Sequence, residues 1–236
     1  MAALTRAPSI RVIAGEVQSR TATNRLVIPS VGLNAWLPFV RVGETIASRA
    51  RQFPPHTHEH EEVLTYLSEG SATYRLGERP GETASAGTAF LLSSASNVTH
   101  SISPIKGGSV RWFVLVIALR AELSEPRLQS SHLSEASTFE EKTQVRRLVG
   151  PRAPMTSHTG LECRELVFVQ RSTSFLRVGH DRHAVVYAMS GAGTVDGRGL
   201  QAGEGALISD VSGIAIAGTP GLRVIAATAP APIVER

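Results

Sequence analysis

The sequence holds a single cysteine, Cys163, so no internal disulfide can brace it. A lone thiol on an apolar stretch reads as a small core filler rather than a nucleophile. Charge of one sign is not concentrated either. Twenty-four Lys and Arg face twenty Asp and Glu, and the longest basic run is Arg146-Arg147. Nucleic-acid recognition usually needs a basic stripe, so no direct nucleic-acid partner is expected. Long apolar runs are missing as well. The longest, residues 112–119, falls far short of the roughly 20 residues that a membrane helix needs. The opening stretch, MAALTRAPSIRVIAGEV, lacks the apolar centre of a secretory signal. Together these absences predict a cytoplasmic protein with no membrane partner.

What is present is a series of short runs rich in Val, Ile, Leu, Tyr and Thr, bounded by Gly, Pro, Asn or Ser. Such runs predict strands at 35–42, 63–67, 72–76, 89–92, 110–119, 166–169, 185–189 and 206–208. Helical periodicity is scarce. The polar segment 134–147 reads as a connector with at most a short helix. The chain also repeats itself. VLTYLSEGSATYR at 63–75 resembles VVYAMSGAGTVDG at 185–197, matching Tyr66 to Tyr187 and Gly70 to Gly191. Each copy then reaches an Ala-Gly pair (Ala86-Gly87, Ala202-Gly203) and ends on a strand carrying Arg111 or Arg223. The glycines read as turn residues, and the tyrosines as packing groups. The reading is all-β: two tandem units of the antiparallel barrel or jelly-roll type, 1–130 and 131–236.

The chemistry concentrates in FPPHTHEHEEVLTY, residues 53–66. On one continuous strand, alternate side chains share a face, so His56, His58, His60 and Glu62 would point the same way. Imidazoles plus a carboxylate directed into a barrel suit a borderline divalent cation. His100, in SNVTHSIS after a glycine turn and a buried strand, is the expected third nitrogen donor. Glu62 is either a ligand or a hydrogen-bonding support for one, and His60 a rim group or alternate ligand.

The 53–66 segment resembles the signature of the pirin family, in which Phe-Pro-x-His-x-His precedes a Val-x-Tyr strand. It also has the cupin spacing His-x-His-x3-Glu. VTHSI at 98–102 is similar to the second pirin motif, and PRLQ at 126–129 to the segment after the long strand. The resemblance implies two cupin units and one divalent ion, Fe(II) first with Ni, Zn or Mn as alternatives. Its ligands would be His56, His58 and His100. The position of the family's glutamate ligand is Ile102, which cannot ligate, so Glu62 is expected as fourth or near ligand. Aligned on the tyrosines, the second unit puts Arg177 opposite His56, Gly179 opposite His58, His183 opposite Glu62 and Ile216 near His100, which predicts a metal-free unit.

For some members the resemblance implies a dioxygenase of the quercetinase type, acting on a flavonol-like or other enol. Glu62 would then tune the metal or accept the substrate proton. It equally implies a non-catalytic regulatory module with a protein partner. A bicupin with no metal is the third reading. Edge strands make a monomer or a homodimer reasonable.

Overall fold

The computed structural model describes residues 8–19, 22–30, 32–48, 53–94, 96–105, 108–119, 123–133, 137–140 and 142–232. The first seven residues of the stretch read above as lacking a secretory signal lie outside them. Among the described residues, apolar alternation and glycine-bounded turns produce strands and no helix. The N-terminal half holds β1 (Ser9–Ala14), β2 (Glu16–Ser19), β3 (Thr23–Ile28), β4 (Phe39–Ser48), β5 (His56–His58), β6 (Glu61–Glu69), β7 (Ser71–Leu76), β8 (Glu82–Ser85), β9 (Thr88–Ser94), β10 (Val98–Pro104), β11 (Ser109–Ala118) and β12 (Arg127–His132). The C-terminal half holds β13 (Ser137–Glu140), β14 (Thr143–Val149), β15 (Glu162–Phe168), β16 (Ser172–Arg177), β17 (Arg182–Ser190), β18 (Ala192–Val195), β19 (Arg198–Gln201), β20 (Glu204–Ser209), β21 (Gly213–Gly218) and β22 (Arg223–Pro230). Segment 134–147 is therefore no helical connector: its described residues carry β13 and the start of β14.

Each half is a jelly roll of two facing antiparallel sheets rather than a closed barrel. One half pairs β12-β9-β6-β11-β4-β3-β2 with β5-β10-β7-β8. The other pairs β1-β20-β17-β22-β15-β14-β13 with β16-β21-β18-β19. Sequence order and sheet membership part company at one place: β1 adds to β20 of the C-terminal sheet. In exchange, β12 extends past residue 130 along β9.

The internal repeat holds at the level of register. Tyr66 opposes Phe113 and Tyr187 opposes Ile225, and each pairing slips by one residue just before its arginine, Arg111 or Arg223. Gly70 and Gly191 both turn at positive φ, where an added Cβ would strike the carbonyl of Ser109 or Gly221.

Strand alternation then sorts β6 into two faces. Val63 and Leu67 enter the core inside the N-terminal jelly roll, with Phe90, Ile102 and Trp112. Leu64 and Tyr66 enter a second core shared by both halves, with Phe113, Tyr187, Ile225 and Cys163. The buried Cys163 thiol is pushed up by burial, which suits packing rather than nucleophilic attack. Fully burying a Leu or Phe is worth about 1.5–3 kcal/mol, so this shared core binds the halves into one body.

Candidate metal centre

His56 and His58 leave the short strand β5 on one face, and β10 brings His100 opposite His56 in register. The three rings converge. His100 Nε2 lies 2.9 Å from His56 Nε2 and 3.1 Å from His58 Nε2. His56 Nδ1 donates to the Pro54 carbonyl at 3.1 Å, and His58 Nδ1 donates to Glu61 Oε2 at 2.6 Å. Both bonds fix the Nδ1–H tautomer and leave the two Nε2 lone pairs bare and pointing inward. A proton on His100 Nε2 can satisfy only one of them; a cation satisfies all three.

The spacing fits an ion. Nitrogen donors about 2.1 Å from a shared metal and at right angles stand about 3.0 Å apart. Burial, reinforced by the neighbouring imidazoles, holds the pKa of His100 down to about 2. Burial likewise holds His56 down to about 4, against the opposing pull of the Pro54 carbonyl. At neutral pH these rings are therefore uncharged and able to donate. The adjoining cavity measures about 60 Å³ and is lined by Arg41, Thr45, Phe53, Thr65, Ile102, Trp112 and Val114 beside the three histidines. Among the described residues, this is the one cluster of three or more His, Cys, Asp or Glu side chains with metal-ligand spacing.

Two expected participants stand elsewhere. β5 stops at His58, and the chain bends through Glu59 and His60, where His60 adopts φ +52°. The bend resets the alternation, so Glu61 faces the histidines and Glu62 faces away. Glu62 is fully buried under the other half. Its carboxylate accepts hydrogen bonds from Ser93 Oγ (2.8 Å), Ser157 Oγ (2.5 Å), Thr159 Oγ1 (2.6 Å) and the His158 and Thr159 amides. It lies outside the cluster of converging donors and clasps the 157–159 loop. His60 is exposed at the bend. Glu61, which the sequence puts among polar groups at the mouth, and Arg41, which it does not single out, are the charged groups at the site. The signal for Glu61 was the polar Glu59-His60 pair, which breaks a strand that the spacing argument took as continuous.

The second unit also differs in detail from the tyrosine-based alignment. Ile102 opposes Tyr74 as Ile216 opposes Val195, so Ile214 corresponds to His100. Its partner Leu176 corresponds to His56, and Val178, bonded to Ser212, to His58. All three are buried in an apolar core. His183, the counterpart of Glu62, is instead a clasp. Its Nδ1 donates to the Leu37 carbonyl at 2.6 Å, and its ring stacks on Trp36. Arg177 and His180 are exposed.

Known proteins place this architecture. A crystal structure of GK1651 from Geobacillus kaustophilus superposes with TM-score 0.85 at 19% identity, covering 96% of this chain and 97% of that one. The bacterial pirin YhhW from Escherichia coli, solved in complex with nickel(II), gives 0.81 at 15% identity over 95% and 100%. The fold is that of the pirin-like bicupins. A quercetin 2,3-dioxygenase from Acinetobacter baumannii also shares it, with TM-score 0.81 at 15% identity over 94% and 79%. Residues 43–154 match the family described as the AraC-like ligand binding domain. No curated protein matches the sequence. Ile102, at the position where the resemblance puts a glutamate ligand, is buried beside the triad.

Proposed function

We propose that this chain is a mononuclear metal cupin of the oxygenase type, acting on a small enol or other small oxygen anion. The observation that carries the reading is the convergence of three Nε2 atoms, two of them bearing free lone pairs because Pro54 and Glu61 hold the ring proton on Nδ1. His56, His58 and His100 would hold the ion. When bound, a divalent ion would supply Lewis-acid or one-electron chemistry, with Fe(II) first and Ni, Zn or Mn the alternatives for these donors.

The remaining residues set what can enter. Neutral imidazoles do not offset the ion's charge, and Glu61 and Arg41 roughly cancel each other, so the site stays positive and an anionic oxygen ligand is favoured over a neutral one. Glu61 holds the His58 ring in place. Phe53 and Trp112 meet edge to face at 5.8 Å and keep that wall apolar. On the same measure a single water needs about 10–15 Å³, so a cavity of about 60 Å³ holds only a few and suits a small enolate better than a tricyclic flavonol. The quercetin dioxygenase and the nickel-bound pirin among the structural neighbours support a metal-centred reading.

The same small cavity favours a second reading, a non-catalytic module in which the metal only shapes the site. Oxygen consumption by Fe(II)-loaded protein, measured with a panel of small enols beside flavonols, separates the two. Turnover of a small enol is expected. Metal bound with no turnover of any enol would overturn the enzyme reading and leave the binding module.

A further inference from the structure

The two halves bury equivalent charge clusters against each other, but with different balance among the described residues, since Arg25 also stands opposite Glu44 in the first. In the N-terminal cluster, Glu44 accepts from Tyr187 of the other half at 2.9 Å and pairs with Arg111, which also pairs with Glu69. One guanidinium there serves two carboxylates. In the C-terminal cluster, Glu165, fully buried, accepts from Tyr66 at 2.9 Å and pairs with both Arg146 and Arg223. Here two guanidiniums serve one carboxylate. The reason lies in the repeat. Glu69 opposes Arg111 in register, and Ser190 occupies the same place opposite Arg223.

The space above the clusters differs in the same sense. Next to Glu44, the side chain of Arg25 lies against Gly203 and Gly15, so closely that an added Cβ on Gly203 would come within 2.4 Å of it. Arg146, the register counterpart of Arg25, instead folds down onto Glu165. That leaves a cleft of about 480 Å³ between the halves, lined by Tyr66, Gly87, Leu133, Arg146, Val167 and Arg223. Both arginines remain about a quarter exposed toward solvent. Arg146 Nε is buried without a partner among the described residues.

We infer that this cleft is a second binding site, for a small organic anion whose phosphate or carboxylate group sits against Arg146 and Arg223 while its apolar part lies on Leu133 and Val167. The volume is that of ordinary small-molecule sites. The unbalanced guanidinium supplies planar N–H donors of the kind that recognise oxyanions. Tyr66 links this site to the shared core through Glu165. It lies on the face of β6 opposite Thr65, which lines the metal cavity, so the two sites are separate.

The test is Ser190→Glu, which recreates at Arg223 the contact that Glu69 makes with Arg111 and cancels the excess charge without touching Glu165. Binding of inorganic phosphate and of benzoate to the full chain is measured by calorimetry at low salt. Wild type is expected to bind at least one of them, more weakly as salt rises, and Ser190→Glu to bind it at least about tenfold more weakly. The stronger of the two probes identifies the anion class. Any anion bound at the metal centre appears as a component that Ser190→Glu leaves unchanged and His58→Ala removes. Glu69→Ser is the reciprocal control. It leaves Arg111 paired with Glu44 alone and opens no cleft, so it should add no binding. Failure of wild type to bind either probe, or equal binding by a folded Ser190→Glu protein, would overturn the inference.

Discussion

At the scale of single residues, the account separates two adjacent glutamates. Glu61 orients His58, and removing such a support commonly weakens metal affinity about 10–100-fold. Glu61→Gln is therefore expected to keep the fold and bind metal more weakly in a competition titration. Glu62→Gln is expected to leave metal affinity unchanged and to cost about 1–3 kcal/mol of stability, because it weakens charge-assisted hydrogen bonds to the 157–159 loop. The reverse pattern would put the ligand role back on Glu62. Ile102→Glu adds a carboxylate to the cavity wall. Metal should bind as tightly or more tightly, while the metal-free variant should melt lower than wild type, since an unpaired buried carboxylate is costly.

At the scale of elements, the Glu62 clasp has a pH signature. Burial by itself would raise the Glu62 carboxyl, but the bonds from Ser157, Thr159, the His158 amide and Ser93 together hold it below the ordinary value of 4.5. The unfolded chain therefore takes up that proton at higher pH than the folded one. The contribution is complete above pH 4.5 and is lost as pH falls below it. Melting of wild type and Glu62→Gln across this range should show a gap at neutral pH that closes on acidification; a gap independent of pH would contradict the assignment. Elements also show where sequence reading succeeded and stopped. The cores of β6, β7, β9, β11, β15, β17 and β20 and the His-x-His segment were legible, because apolar patterning and turn residues are local signals. The restart of β6 at Glu61 was not. It depends on His60 adopting a left-handed conformation that the spacing of His56, His58 and Glu62 does not reveal. Nor was the pairing of β1 with β20, a contact between residues far apart in the chain. The one-residue error in matching Arg177 to His56 arose the same way, since a tyrosine anchor fixes β17 but not the bend before it.

At the scale of the whole molecule, the halves are joined through a common core and through crossed tyrosine–glutamate bonds, Tyr66 to Glu165 and Tyr187 to Glu44. Such coupling predicts one cooperative unfolding transition in urea rather than two. Tyr66→Phe should lower stability by about 1–2 kcal/mol, by removing a donor from a buried carboxylate, without splitting that transition. Two separated transitions would show that the halves fold independently. The repeat makes the division of labour visible. Leu176, Val178 and Ile214 fill the positions where the first unit carries His56, His58 and His100, so one jelly roll packs an apolar core and its twin presents imidazoles.

The most direct measurement is the metal content of purified, Fe(II)- or Ni(II)-loaded protein, wild type beside His58→Ala, with circular dichroism to verify the fold. The account predicts close to one ion per wild-type chain and nearly complete loss in the variant. A folded His58→Ala protein that retains its ion, or a wild type that takes up none, would contradict it.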